Sequence, residues 1–183
     1  MTESFYHIDR YDQLSTGDVL PSFEVFMPPG HPADYPNGVS KFGKRYIEQN
    51  TQPNMGIEFF FEQLRLQEFS ERPSRFQVYF GVEDVRAGRQ WLRKLALDRR
   101  NSCRDNYAWP VNVYEVEADS VFKADMGNLR FGNFRQAYHH AREYWKGNVR
   151  GSDPHWEHFL EPPVEVLGLT TEIPFADIDP LDQ

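Results

Sequence analysis

Three polar side chains interrupt apolar stretches of the sequence and could act together on one ligand. They are His7, Tyr79 and Glu157, and each has large apolar neighbours in the chain. A histidine can form hydrogen bonds through either ring nitrogen, and a tyrosine offers a flat ring with a hydroxyl group. A glutamate can stabilise a positive charge or accept a proton. If the three side chains converge on one cleft, they form a site for a small polar ligand.

Metal binding is the weaker interpretation of the remaining histidines. Consecutive helical residues such as His139 and His140 point about 100° apart, so they do not easily share one ion. His155 and His158 fall in a predicted turn that leads into a strand, with no cysteine cluster and no H-E-x-x-H motif. Solvated or locally bonded histidines are favoured over a zinc site. We expect no metal.

Sequence motifs for nucleophilic catalysis or phosphate binding are absent. Cys103 is the single cysteine, and its neighbouring arginines make it a candidate reactive thiol, although a lone cysteine is more often incidental. A single cysteine permits no intramolecular disulfide, which suits a reducing cytosol. The chain contains no G-x-S-x-G, G-x-G-x-x-G or Walker loop. An α/β-hydrolase, a Rossmann dinucleotide site and a P-loop NTPase are therefore disfavoured.

The composition of the 183 residues predicts one domain, residues 1–183, with a core rich in aromatic side chains, since 39% of residues are hydrophobic and 15% are aromatic. The formal net charge of −8 argues against a general nucleic-acid-binding face. The first residues lack a signal-peptide pattern, and no apolar run approaches the roughly 20 residues that span a bilayer. We expect a cytoplasmic protein with no membrane partner; secretion as an effector without a signal peptide is the alternative.

Hydrophobic periodicity predicts helices and strands that do not alternate regularly, which favours an α+β fold over a doubly wound sheet. The predicted helices are Met55–Phe69, Asp84–Leu97 and Phe134–Trp145, the last one ended by Gly147. The predicted strands are Phe5–Ile8, Asp18–Leu20, Ser74–Gly81, Pro110–Val121, His158–Leu160 and Val164–Ile173, the last two separated by Pro162-Pro163.

The periodicity also predicts which side chains face the core. In the strand 74–81, Phe76, Val78 and Phe80 alternate with Gln77 and Tyr79. Tyr79 is therefore expected on the opposite side, facing a cleft or solvent. The expected core faces of two helices are Ile57, Phe60, Phe61 and Leu64, with Glu58, Glu62 and Arg65 off that face, and Phe134, Ala137, Tyr138, Ala141 and Tyr144.

The segment 21–53 is rich in proline and glycine, which excludes a long helix. A loop of this length is either functional or a surface loop without a ligand role. Its aromatic part, from Phe23 to Tyr46, is where we expect contacts with a second substrate. The residues 174–183 are acidic and are expected to form a loose tail.

Six short stretches carry a family resemblance. Phe5-Tyr6-His7 precedes Gly17-Asp18-Val19-Leu20, and Val78-Tyr79-Phe80 precedes a helix with Ala87-Gly88-x-x-Trp91. Two later stretches are Val111-Asn112-Val113-Tyr114-Glu115-Val116 and Glu161-Pro162-x-x-Glu165-Val166-Leu167-Gly168. In this order they resemble motifs of the ADP-ribosyltransferase superfamily, most closely of the bacterial rifampin ADP-ribosyltransferase branch. Residues 21–72 have no counterpart there and are interpreted as an insertion.

The resemblance implies a split β-sheet core of ADP-ribosyltransferase type, with NAD as co-substrate and nicotinamide as product. It implies that His7 binds the adenine-side ribose, that Tyr79 stacks on nicotinamide, and that Glu157 binds the nicotinamide ribose and steadies the cation left behind. Breaking the glycosidic bond of NAD creates positive charge that a nearby carboxylate stabilises. Further residues assigned to NAD binding are Ile8, Ser74 and Arg75.

The identity of the carboxylate has alternatives. Glu157 is preferred because it precedes a strand, whereas Glu161 stands at a turn and Glu165 belongs to a polar strand face. Glu83 or Asp84 could supply the acidic residue that the rifampin branch has after its tyrosine strand, or could simply begin a helix.

Several functional alternatives also stay open. The acceptor of ADP-ribose could be a small molecule, a protein side chain or a nucleic acid, and a toxin acting on a host protein is one case. A non-catalytic NAD-, ADP-ribose- or protein-binding module is the alternative function. Ile8-Asp9 after the histidine favours it, since the superfamily often has a small residue there.

Overall fold

A computed structural model describes residues 3–10, 12–24, 35, 37–48, 55–98 and 110–174. Within these residues the chain forms a five-stranded antiparallel sheet and four α-helices. The fold is therefore α+β, as predicted. None of these helices has the length and hydropathy that crossing a bilayer requires.

The order of elements along the chain places a long strand pair in the middle of the sheet. The strands are β1 (Glu3–Asp9), β2 (Val19–Leu20), β3 (Tyr79–Gly81), β4 (Val111–Asp125) and β5 (Trp156–Ile173). The helices are α1 (Lys41–Glu48), α2 (Met55–Glu68), α3 (Val85–Asp98) and α4 (Phe134–Lys146), and a 3-10 helix covers Met126–Leu129. Strand β4 pairs with β1 on one side and β5 on the other, and β2 and β3 pair with the far edge of β5.

The sheet curls until its edges meet beside the predicted site. Strand β3 pairs with β5 at Tyr79 opposite Leu160 and at Gly81 opposite His158. The backbones of Tyr6 and Val82 exchange two hydrogen bonds of 3.0 Å, which join β1 to the end of β3. Because β1 lies on the other side of β4, this bridge closes the sheet on itself. Strands β1, β3 and β5 are thereby neighbours although they are distant in sequence.

Strand β3 begins later than predicted. Residues 75–77 form a turn, in which the backbone N–H of Gln77 donates to the carbonyl oxygen of Ser74 over 3.0 Å. The Ser74 hydroxyl oxygen accepts from the Phe76 N–H at 3.1 Å and holds the same turn. Tyr79 packs in a core cluster with Phe5 and not in the cluster of Val78 and Phe80, as the alternation predicts, but it is only 5% exposed.

Strand β5 is continuous, so the predicted break at Pro162-Pro163 is wrong. Residues 158–160 pair with β3 and residues 164–165 pair with β2. The two prolines therefore lie where the edge of β5 changes partner. On the β4 side, the pairing passes from Glu161 to Glu165 without using them. Their missing N–H groups interrupt no ladder hydrogen bond at these positions.

The predicted core face of helix α4 is confirmed at Ala137, Ala141 and Tyr144 and is wrong at Phe134 and Tyr138. Its buried residues are Ala137, Ala141, Tyr144 and Trp145. Phe134 is 76% exposed and Tyr138 is 42% exposed. Trp145, which the predicted face omits, is fully buried and donates from Nε1 to the carbonyl oxygen of Phe61 over 3.0 Å. Gly147 ends the helix as predicted, with a left-handed φ of 76°.

The segment 21–53 contains helix α1, which the sequence analysis did not predict. Ser40 caps it, because its hydroxyl oxygen accepts from the Gly43 N–H at 3.1 Å. A Cβ atom at Gly43 would lie 1.9 Å from the carbonyl oxygen of Phe76, so only glycine permits this close approach. The predictions for residues 25–34 and for the tail after Pro174 lie outside the described residues, as does Cys103.

Replacing Asp125 with alanine is expected to lower the free energy of unfolding by about 3 kcal/mol. The carboxylate is fully buried and accepts from the backbone N–H groups of Gly127, Arg150 and His155 at 2.9, 2.7 and 2.9 Å. The alanine variant would leave these donors without their partner. Denaturant unfolding measures the change. Asp153→Ala is the control, since that side chain is 82% exposed and its loss should change stability by under about 0.5 kcal/mol.

Candidate functional site

A cleft lies where the edges of the sheet meet, between β1, β3, β5 and α1. Its cavity volume is about 120 Å³, and the cleft is partly open to solvent. His7, Tyr79 and Glu157 all line this cleft, and so does Ile8. The structure therefore brings together three side chains that are far apart in the sequence.

His7 is held in one tautomer by the neighbouring strand. Its Nδ1 lies 2.8 Å from the carbonyl oxygen of Phe80. Because a carbonyl oxygen only accepts, Nδ1 carries the proton, and Nε2 is an acceptor in the neutral ring. Burial lowers the pKa of His7, which favours this neutral form. Nε2 makes no hydrogen bond within the described residues, so the histidine can accept one from a ligand hydroxyl group.

The stability of the protein is expected to fall as the pH drops below 6.5, the ordinary pKa of histidine, in part because of His7. The folded state resists protonation of His7 whereas the unfolded chain does not, so protons favour unfolding. His7→Gln should reduce the loss of melting temperature between about pH 7 and pH 5, the range in which a free histidine becomes charged. Thermal unfolding of both proteins over this range measures the difference, and equal losses would contradict the prediction.

Tyr79 supplies a fixed ring to the cleft. Its hydroxyl donates to the carbonyl oxygen of Pro21 over 2.9 Å and accepts from the backbone N–H of Lys41 at 3.3 Å. Its ring meets that of His7 edge to face, with 6.2 Å between centroids. Burial raises the pKa of Tyr79, so the hydroxyl stays protonated. Tyr79 therefore offers a rigid apolar surface and does not transfer a proton.

Glu157 presents one bonded and one unbonded carboxylate oxygen. Oε1 accepts from Nη1 of Arg75 at 2.5 Å and from the hydroxyl of Tyr144. Oε2 makes no hydrogen bond within the described residues, and Glu157 is a wall residue of the cleft. Burial raises the pKa of Glu157, while Arg75 and Tyr144 oppose that rise. The carboxylate is therefore held rigidly by one oxygen and has the other available.

The polar face of α2 is buried, contrary to the prediction. Glu58, Glu62 and Arg65 are at most 7% exposed. Glu58 accepts from Nε of Arg75 at 2.7 Å and from its Nη2 at 3.3 Å, and Glu62 pairs with Arg65 at 2.8 Å. Sequence periodicity missed these residues because charged side chains are usually exposed, whereas here each carboxylate is paired with an arginine.

Ser74 and Arg75 do not line the cleft, so their predicted direct contact with NAD is not what the structure shows. Ser74 is fully buried and caps the turn before β3. Arg75 is 5% exposed and is occupied by Glu58, Glu157 and Tyr144. The guanidinium is buried because it neutralises the two buried carboxylates of Glu58 and Glu157.

The alternative acidic residues lie elsewhere. Glu161 and Glu165 are exposed and do not line the cleft. Glu83 is exposed and lies 3.2 Å from Nε2 of His158. Asp84 caps α3, because its Oδ1 accepts from the N–H of Ala87 at 2.6 Å. Among the candidate carboxylates, the structure places Glu157 alone at the cleft.

Three positive side chains line the cleft in a protein of net charge −8. Arg10, Lys41 and Arg45 line it, and Asp9 is the acidic residue beside them. Oδ2 of Asp9 accepts from the backbone N–H groups of Gln13 and Leu14 at 2.6 and 2.8 Å, so this carboxylate is engaged in a turn. The sequence analysis missed the cations because they come from separate segments. Their convergence favours an anionic ligand.

Comparison with protein-family models identifies the family. Residues 34–177 match the model of a protein of unknown function, DUF2441. The chain belongs to the DUF2441 family. The matched range contains Tyr79 and Glu157 and begins after His7. A search of the curated proteins found no match.

Two of the remaining histidines in the described part of this DUF2441 chain have hydrogen-bond partners. His158 lies 3.2 Å from Ser120 Oγ through Nδ1 and 3.2 Å from Glu83 through Nε2. His140 lies 3.3 Å from Oδ1 of Asn128. In the described part of the chain, no group of three or more histidine, cysteine, aspartate or glutamate residues could hold a metal ion.

Proposed function

We propose that this DUF2441 protein is an NAD-dependent mono-ADP-ribosyltransferase that releases nicotinamide. The observation that carries the proposal is the convergence of His7, Tyr79 and Glu157 on one cleft. Each comes from a different strand, and each has the side-chain chemistry that the resemblance to ADP-ribosyltransferases assigns to it. We propose further that the protein acts in the cytoplasm, where NAD is plentiful.

The proposed reaction uses Glu157 as a fixed negative charge. The bond between C1′ of the ribose and the nicotinamide nitrogen breaks, and its electron pair leaves with the nicotinamide. The sugar becomes an oxocarbenium-like cation, which Oε2 of Glu157 stabilises from a position held by Oε1. An acceptor nucleophile then bonds to C1′ and loses its proton to Glu157 or to water.

Other residues of the cleft suit the adenine-side ribose, the nicotinamide ring and the diphosphate of NAD. Nε2 of His7 can accept a hydrogen bond from the adenine-side ribose, because Nδ1 is engaged with the Phe80 carbonyl oxygen. The ring of Tyr79 is available to the nicotinamide. Lys41 and Arg45, which line the cleft, supply positive charge for the diphosphate.

A second candidate is a module that binds NAD or ADP-ribose without cleaving NAD. It is favoured by the burial of Glu157, which is 1% exposed and already paired with Arg75. A carboxylate neutralised in this way stabilises a second cation less strongly than a free one. In this candidate the cleft and the positive side chains that line it keep their binding role.

Calorimetric titration with NAD, together with chromatographic measurement of nicotinamide release, tests the proposal. Release by the purified protein, alone or with cell lysate as acceptor source, supports the transferase. NAD binding without release would favour the binding module, and neither binding nor release would overturn both. His7→Ala should weaken NAD binding, whereas His139→Ala, an exposed histidine on α4, is the matched control and should not.

A further inference from the structure

A row of buried charged side chains extends behind Glu157, away from the cleft. Glu58 of α2, Arg75 of the turn before β3 and Glu157 of β5 are 7%, 5% and 1% exposed. The guanidinium donates to Glu58 through Nε at 2.7 Å and Nη2 at 3.3 Å, and to Glu157 through Nη1 at 2.5 Å. The Arg75 guanidinium thus donates to two carboxylates. Glu58 accepts two of these three hydrogen bonds, and Glu157 accepts one.

We propose that Arg75 is a positioning residue that holds Oε1 of Glu157, and that Glu58 controls this hold by competing for the same guanidinium. The inference rests on the proposed function of Glu157. It assigns a role to two residues that do not touch the cleft. Glu58 and Arg75 would thereby determine how the carboxylate at the cleft is oriented and how readily it stays ionised.

Aromatic rings isolate the guanidinium from water and strengthen these interactions. The carbon atom at its centre lies 4.7 Å from the ring centroid of Phe80, 5.4 Å from that of Tyr144 and 6.0 Å from that of Phe159. In such surroundings the removal of one charge acts strongly on its neighbour.

The groups that determine the ionisation of Glu157 come from several elements. Burial raises its pKa, Arg75 lowers it, the Tyr144 hydroxyl of α4 lowers it through a hydrogen bond, and Glu58 raises it. The charged and titratable residues that line the cleft itself are His7, Asp9, Arg10, Lys41, Arg45, Tyr6, Tyr46 and Tyr79. Loss of Glu58 and loss of Arg75 should therefore act on Glu157 in opposite directions, an outcome that a merely structural role would not produce.

Titration of Glu157 by carbon NMR in protein labelled at the glutamate carboxyl carbon tests the proposal. The signal is identified by its loss in Glu157→Gln. In Glu58→Gln its midpoint should move to lower pH, and in Arg75→Met it should move to higher pH, by about 1–3 units. If Arg75→Met does not fold, the double variant Glu58→Gln/Arg75→Met replaces it, because only one buried carboxylate, that of Glu157, then lacks its arginine. In the double variant Glu157 should still titrate at higher pH than in Glu58→Gln alone.

Glu62→Gln is the matched control, because Glu62 lies on the same helix in a similar buried pair with Arg65. Its substitution should leave the Glu157 midpoint unmoved. Shifts of the same sign in Glu58→Gln and Arg75→Met, or an equal shift in Glu62→Gln, would overturn the proposal.

The titration requires no turnover, so it separates this inference from the proposed function. Absence of nicotinamide release in the wild-type protein would reject the transferase, while the opposite shifts would still establish the link between Glu58, Arg75 and Glu157. If the protein releases nicotinamide, the acid limb of the pH profile of this release should move to lower pH in Glu58→Gln and to higher pH in Arg75→Met. Release with an unmoved limb in both variants would overturn the positioning role.

Discussion

Replacing Glu157 with glutamine is expected to reduce nicotinamide release by about 100- to 1000-fold, the usual effect of removing one fixed electrostatic group from an active site. Glutamine keeps the shape of the side chain but loses the negative charge that would stabilise the oxocarbenium-like state. The affinity for NAD should change little, because the proposal assigns the adenine-side ribose and the diphosphate to other residues. Release is measured chromatographically, and affinity by calorimetry.

Glu161→Gln is the control for this experiment, since Glu161 is an exposed glutamate of the same strand and does not line the cleft. It should retain wild-type release. Release that persists in Glu157→Gln would show that another group stabilises the transition state. An equal loss of NAD affinity and release would show that Glu157 contributes to binding alone.

Replacing Arg75 with methionine is expected to lower the free energy of unfolding by about 3–5 kcal/mol, as is typical when one partner of a buried ion pair is removed. The substitution leaves Glu58 and Glu157 buried without their shared cation. Both carboxylates must then take up protons or draw water into the core. Guanidinium chloride unfolding at neutral pH measures the loss, which should shrink at acidic pH where the carboxylates are protonated.

Arg142→Met provides the comparison for Arg75→Met. Arg142 pairs with Glu68 at 2.7 Å, but its side chain is 44% exposed. An exposed pair of this kind contributes at most about 1 kcal/mol. Similar losses in the two variants would mean that burial of the Arg75 network adds nothing to its stability.

Elements with strong local signals were predicted correctly. Helices α2 and α3, the end of α4 at Gly147 and the α+β class follow from periodicity and capping residues. Helix α1 was missed because its short sequence is surrounded by prolines and glycines. The break at Pro162-Pro163 was predicted wrongly because a change of edge partner, which makes the prolines harmless, is a property of the sheet and not of the local sequence.

The side-chain environments were the harder part of the prediction. Tyr79 was expected to face a cleft or solvent, and it lines the cleft, but its side chain is buried in a core cluster. Glu58 was expected off the apolar face of α2, yet it is buried against Arg75, which lies 17 residues further along the chain. A pattern of side-chain polarity cannot reveal such partners, since the energy of a buried charge depends on what is packed against it.

The sequence by itself determined which side chains are available for chemistry. They are a histidine, a tyrosine and a glutamate, and each lies among apolar residues that form a strand. It also determined where helices α2, α3 and α4 begin and end, because those signals are local. Only the tertiary structure decided that His7, Tyr79 and Glu157 share one cleft, through a sheet closed by the bridge between Tyr6 and Val82. The tertiary structure also decided that Arg75 donates to Glu157. Convergence and burial depend on packing between segments that are far apart in the sequence, so no local pattern predicts them.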